Sequence, residues 1–189
     1  MPIEVRALTP DDWPLLARLF GATGACGGCW CMHWLMKRGH DWDREKGARN
    51  RAAFRRRVRA GKVHGVIATR DDEPIGWCHL GPRGGFPRLL RSRVIDTDAD
   101  DDDWAVVCFY IPAAQRGGGV AKRLLGGAVK LAREQGARRL EGYPVRVTQG
   151  RYPSTFAFVG VPRVFEAAGF RDVTPRGARR PVFQRRFRR

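Results

Sequence analysis

The chain has 189 residues, with 36 Lys and Arg against 19 Asp and Glu, a formal net charge of +17, and 43% hydrophobic residues. Domains commonly run to about 100–200 residues, so one domain over 1–189 is expected, and the apolar content excludes a disordered chain despite its self-repulsion. The apolar run from Ala105 to Ile111 is far short of the roughly 20 residues that span a bilayer. The opening Met1–Arg6 contains Glu4 and lacks the apolar stretch of a secretory signal. Five cysteines, three of them crowded at 26, 29 and 31, make no disulfide framework. Together these features imply a soluble cytoplasmic protein. The basic excess is nearly all Arg, since Lys37, Lys46, Lys62, Lys122 and Lys130 are the only lysines. Arg suits planar and phosphate-like anions, which leaves open a phosphorylated ligand, a nucleic acid, or a merely solvated basic surface.

Ile3–Arg6 alternates as a strand does, and Thr9-Pro10-Asp11-Asp12 reads as a helix start. That helix carries Trp13, Leu16 and Phe20 on one face and stops near Gly21 and Gly24. A cysteine-rich turn leads into a basic segment, Asp43 to Ala60, with Phe54 and Val58 as its apolar stripe and Gly61 as its stop. Strands at Val63–Thr69 and Ile75–Leu80 form a hairpin around Asp71-Asp72-Glu73-Pro74. Gly81–Arg93 reads as loop. An acidic run ending at Asp103 precedes the most strand-like segment, Trp104–Ile111. A helix with Val120, Leu124, Ala128 and Leu131 on one face then runs to Gly136. Leu140–Val145 is a further strand, Val161–Ala168 a short helix, and Phe170–Val173 and Val182–Phe187 are closing strands. His64 and His79 fall in strands as structural residues, His40 is exposed, and Trp77 and Trp104 belong to the core. This order predicts a mixed α/β sheet.

The informative segment is Phe109-Tyr110-Ile111-Pro112-Ala113-Ala114-Gln115-Arg116-Gly117-Gly118-Gly119-Val120-Ala121. Strand, loop, glycines and helix in that order place free backbone N–H groups at a helix N-terminus, an anion site when the backbone can approach closely. A glycine-rich turn with no ligand is the alternative reading. The spacing is neither the dinucleotide Gly-x-Gly-x-x-Gly nor a Walker loop, since Lys122 has no hydroxyl residue beside it.

Arg116-Gly117-Gly118-Gly119-Val120-Ala121 resembles the Arg/Gln-x-x-Gly-x-Gly/Ala signature of the GNAT superfamily of N-acetyltransferases. Phe165-Glu166-Ala167-Ala168-Gly169-Phe170 resembles its aromatic-x-x-x-Gly-Phe segment, and Ile3–Phe20 its first strand and helix. Cys29-Trp30-Cys31-Met32 is similar to a segment of a bacterial branch of that family. The resemblance implies a mostly antiparallel twisted sheet, splayed between its fourth and fifth strands and flanked by helices. It implies acetyl transfer from acetyl-CoA, as cosubstrate, to a primary amine by direct attack. The implied coenzyme contacts are Phe109 and Ile111 along the splayed strand for the pantetheine arm. Arg116, Gly117, Gly118, Gly119, Val120 and Ala121 are implied for the pyrophosphate. A backbone amide on that strand can also polarise the thioester carbonyl, a contribution typically worth about 2.7–4 kcal/mol.

The chain departs from the family at Phe165, where a Tyr often serves as general acid. Tyr110 and Tyr152 are the candidate substitutes, and Asp103, at the start of the central strand, is a candidate proton relay or simply part of a solvated acidic turn. The loop after the first helix borders the acceptor site in the family, so Trp30, His33 and Trp34 are candidate acceptor contacts, with packing under the first helix as the alternative. Cys26, Cys29, Cys31 and His33 offer four potential ligands, but structural zinc sites usually draw two separated pairs, so no metal is expected. The acceptor is a small-molecule or peptide amine. Two rival classes stay open: a CoA-binding regulator without turnover, and a basic nucleic-acid-binding protein using the Phe- and Arg-interleaved tail 179–189. That tail also alternates as a final strand does. No membrane partner is expected, and the oligomeric state is open.

Overall fold

The computed structural model describes residues 2–146 and 158–187. Among these, β1 (Glu4–Ala7), β2 (Gly65–Arg70), β3 (Glu73–Pro82), β4 (Trp104–Tyr110), β5 (Arg139–Gly142), β6 (Arg171–Asp172) and β7 (Phe183–Arg186) form one sheet. Its order is β1-β2-β3-β4-β5-β7-β6, and only the β4–β5 pair is parallel. The mixed, mostly antiparallel sheet expected from the sequence is therefore present. Asp71 and Asp72 both adopt left-handed backbone (φ 52° and 62°), the two-residue turn whose twist suits a hairpin between β2 and β3.

Helices cover both faces. On one, α5 (Val120–Glu134) and α6 (Pro162–Glu166) pack over Val66, Cys78, Leu80, Val106 and Phe109. Leu124 and Leu125 of α5 are fully buried, each worth about 1.5–3 kcal/mol over exposure. On the other face, α1 (Trp13–Phe20) and α3 (Ala48–Arg59) enclose Ile67 and Trp77 with Leu16, Phe20, Phe54 and Val58. The β1–α1 corner is locked by Asp12, whose carboxylate takes two bonds from Arg6 (2.6 and 2.7 Å) and one from the Thr9 amide. The Arg6 bonds in particular hold its pKa down to about 2.

One irregularity sets the site. His79 pairs with Cys108 but Leu80 pairs with Val106, so Val107 is an extra residue in β4. A bulge of this kind reverses the side-chain parity beyond it. Trp104 and Val106 face α5, and past the bulge so do Phe109 and Ile111, whereas Cys108 and Tyr110 face α1.

Three segments differ from the sequence expectation. The basic segment Asp43–Ala60 is two helices, α2 (Trp42–Glu45) and α3, because Gly47 (φ 81°) turns the chain and its amide donates to Gly28 O at 2.9 Å. Gly81–Arg93 contains α4 (Pro87–Leu90), which buries Leu89 against the sheet; the apolar anchor was hidden among Gly, Pro and Arg. His64 precedes β2 rather than lying in it. The tail is a strand: Phe183 is buried and Phe187 packs on the core, so neither ring is free to stack on a base.

His79 lies within β3, 2% exposed, against Phe54, Trp77 and Phe86, and its Nδ1 has no hydrogen-bond partner among the described residues. Burial, then the charge of Arg57, lowers its pKa from 6.5 to about 3. The folded value lies below the unfolded one, so the unfolded chain binds the proton first as pH falls. Stability is therefore full above pH 6.5 and declines below it, by about 1.4 kcal/mol per pH unit for one such group. Melting curves between pH 7.5 and 5 check this: His79→Gln should flatten the acid slope by one proton, and an unchanged slope refutes the assignment.

Candidate active site

Parallel pairing of β4 with β5 covers only Trp104, Ala105 and Val106. Beyond them β5 ends at Gly142 and the chain turns away, with the Val145 amide donating to Gly160 O at 3.0 Å. Among the described residues the second half of β4 is thus left with an open edge, and a cavity of about 920 Å³ lies along it. Phe109, Ile111 and Tyr110 border the cavity from β4, and Gly160, Val161 and Val164 from the α6 side. Unpaired strand backbone beside a cavity is a ready partner for an extended ligand with amide groups.

At one end the cavity meets Arg116 and Ala121 at the start of α5. Gly119 caps that helix in left-handed backbone (φ 77°), and Gly117 is also left-handed (φ 85°). No backbone carbonyl among the described residues accepts from the amides of Gly117 to Lys122, and no side chain caps the helix. A Cβ added at Gly118 would meet no protein atom within 4 Å. A row of unsatisfied donors at the positive end of a fifteen-residue helix fits a diphosphate. Arg116 adds its charge and closes the loop, its Nε donating to Ile111 O at 2.9 Å.

The other end is aromatic. His33, in a short 3-10 turn, meets Trp34 (5.1 Å between ring centroids), Trp42 (5.9 Å) and Phe158 (5.8 Å), all edge-on. Burial, then the charge of Arg88, lowers the His33 pKa from 6.5 to about 4, so its ring is neutral at physiological pH. Cys26, Cys29, Cys31 and Cys108 also border the cavity. Burial pushes the Cys29 thiol up to about 12 and the Cys31 thiol well above its ordinary value, which makes them weak nucleophiles. Among the described residues no three His, Cys, Asp or Glu converge as metal ligands would. Burial also raises the Tyr110 pKa, with Arg116 acting in the opposite sense.

The structure therefore brings together Phe109, Tyr110, Ile111, Arg116, Ala121, His33 and Trp34 around one cavity, with Gly117, Gly118 and Gly119 beside it. Val120 turns its side chain into the core. Two expectations are corrected. Trp30 does not border the cavity; it is 4% exposed, stacked on Trp13 at 5.7 Å beneath α1. Asp103 stands at the opposite end of β4, buried and doubly bonded to Arg139 (2.8 and 2.5 Å), so it is held as a structural ion pair. Burial works against its charge, but the bonds from Arg139 and the Asp100 amide prevail and its pKa is lowered. Tyr152 lies outside the described residues. Phe165 is core, 0% exposed among Phe109, Phe170 and Phe183, and its ring lies across Gly142 so closely that an added Cβ would meet it at 2.0 Å. Sequence reading missed Trp42, Lys46, Phe158 and Arg163 at the cavity; only the isolated Trp42 in a polar stretch offered a signal.

No helix among the described residues is long and apolar enough to cross a membrane. Among curated proteins, none is significantly similar in sequence. Solved structures are similar in fold. The GNAT domain of S. lividans PAT shares 20% identity at a TM-score of 0.58, covering 98% of this chain and 90% of that one. Aminoglycoside acetyltransferase AAC(6')-Ib in complex with coenzyme A and kanamycin shares 18% at 0.54, covering 98% and 95%. A GCN5-related N-acetyltransferase from Kribbella flavida shares 16% at 0.53, covering 98% of each chain. The sequence model of the Acetyltransferase (GNAT) family matches residues 30–149. With that match over more than half its length, and the splayed sheet and glycine loop in place, the chain belongs to the GNAT acetyltransferase family.

Proposed function

We propose that residues 1–189 form one domain that transfers an acetyl group from acetyl-CoA to a primary amine by direct attack. The observation that carries this reading is the row of unpartnered amides from Gly117 to Lys122, opening onto the free edge of β4. Acetyl-CoA supplies the activated acyl thioester. Arg116 and the amides of Gly117–Ala121 hold its pyrophosphate, and the backbone at Phe109 and Ile111 pairs with its pantetheine arm. The apolar walls exclude water, and holding both reactants in line supplies much of the acceleration. The Tyr110 hydroxyl, kept protonated by its raised pKa, returns a proton to the departing sulfur. Tyr152 is the alternative donor. His33 and Trp34 border the acceptor. The coenzyme A and kanamycin bound by the similar aminoglycoside acetyltransferase accord with a thioester donor and an amine acceptor. Cys29, Cys31, Cys78 and Cys108 are free thiols, which suits a reducing cytoplasm.

The burial of Phe165, which has no proton to give, favours a second reading: a CoA-binding regulator without turnover. Calorimetry with acetyl-CoA, followed by free-thiol release with an amine panel, separates the two. Saturable binding with amine-dependent release supports the transferase, and binding alone supports the regulator. Gly118→Ala introduces no clash and no left-handed strain. It should leave the melting temperature unchanged while weakening acetyl-CoA by about tenfold, or about 1.4 kcal/mol, because the methyl keeps phosphate from the amides. Undiminished affinity would refute the diphosphate site.

A further inference from the structure

We infer that the acceptor is an amine on an aromatic or apolar body that also carries an anionic group, and not a polycationic amine; this rests on the transferase reading above. The charged residues bordering the cavity among the described ones are Lys46, Arg116 and Arg163, all cationic, with no Asp or Glu. The stretch 147–157 adds none, because its sequence contains neither residue. Arg88 stands near enough to bias His33 further against protonation. Lys46 itself is paired with Asp43, its Nζ donating to the carboxylate at 2.7 Å. Both partners of that pair keep substantial exposure, and an exposed ion pair of this kind contributes little and is readily exchanged for another anion.

Two effects oppose each other for a cationic acceptor. Trp34 and Trp42 attract a cation by about 0.5–2 kcal/mol when a ring face is presented. Each uncompensated like charge at ~8 Å and an effective dielectric of about 20 costs roughly 2 kcal/mol. With Arg116 taken up by the pyrophosphate and Lys46 paired with Asp43, Arg163 carries the repulsion; it matches the attraction, and each added ammonium on the ligand multiplies the cost. The same field has a chemical use. It favours the neutral form of the acceptor amine, which is the form that attacks, so the proton is lost to water before the amine is seated and no carboxylate base is needed. An anionic group on the acceptor then offsets the cationic lining, with Arg88 and Lys46 as its partners at the aromatic end.

The test compares phenylalanine, 2-phenylethylamine (the same body without the carboxylate) and spermidine. Acetylation and calorimetric binding in the presence of CoA are both measured on the full chain. Phenylalanine should show a kcat/KM at least tenfold above 2-phenylethylamine, with spermidine lowest. In Lys46→Gln/Arg88→Gln the first ratio should fall towards one while the KM for acetyl-CoA stays unchanged. Equal use of the aromatic pair, preference for spermidine, a ratio untouched by the double substitution, or no binding of any of the three overturns the inference. Preferential binding of phenylalanine without acetylation would support the acceptor class and overturn the transferase reading instead.

Discussion

Glu141→Ala is expected to destabilise the protein by about 3–5 kcal/mol, because it strands a buried guanidinium. Glu141 is 0% exposed in β5. Its Oε1 accepts from Thr97 (2.7 Å) and Gln184 (3.1 Å), and its Oε2 from Tyr143 (2.9 Å) and Arg83 (3.3 Å). Arg83, itself buried, also donates to the Tyr143 hydroxyl. Removing the carboxylate leaves these donors without an acceptor beneath the strand that borders the splay. At about 2–4 °C per kcal/mol for a chain of this size, the melting temperature should drop by about 6–20 °C. Glu141→Gln keeps acceptor oxygen but no charge and should fall between. Glu141→Leu with Arg83→Met removes both charges and should recover most of the loss, since an apolar pair of similar volume often matches a buried ion pair. Calorimetric melts of the variants decide it; a Glu141→Ala protein as stable as the wild type refutes the network's role.

Tyr110→Phe is expected to lower kcat by about 10²-fold or more, the usual range for a lost proton donor. Tyr110 borders the cavity on the α1 side of the sheet, the side on which the Val107 bulge places it, and its ring is braced edge-on by Phe20 at 5.5 Å. Phenylalanine keeps that packing, so fold and acetyl-CoA affinity should stay unchanged and the loss should fall on kcat alone. The tyrosine's pKa is raised above its ordinary 10.0, mainly by burial. It therefore keeps its proton through the neutral range, and the fall of kcat on the alkaline side should lie above pH 10 and vanish in the variant. Steady-state kinetics across pH check both points. Full kcat in the Tyr110→Phe enzyme would move the role to Tyr152.

Much of the frame was legible in local patterns. The apolar run 104–111 could only be a buried strand, and Val120, Leu124, Ala128 and Leu131 could only be one face of a helix. Between them Arg116 and three glycines marked a loop whose conformation needs residues tolerant of positive φ. Trp30 and Trp34 were indistinguishable in the sequence, four residues apart in one irregular segment. The left-handed turn at Trp30 and Cys31 sends one indole under α1 while the other reaches the cavity. Asp103 looked like a relay from its place beside the central strand, and its partner Arg139 comes from a strand thirty-six positions later.

From its residues alone this chain determined the order of its strands and longer helices and the glycine loop at the start of α5. Those features rest on periodicity and on backbone freedom, which act over a few neighbouring residues. The tertiary structure alone decided which side chains share the cavity, because that depends on a one-residue bulge and on where distant segments cross. It also decided the sign of the charge around the cavity. Asp103 is held by Arg139 at the far end of β4, Asp43 is paired with Lys46, and Lys46, Arg116 and Arg163 border the cavity without a carboxylate among the lining residues.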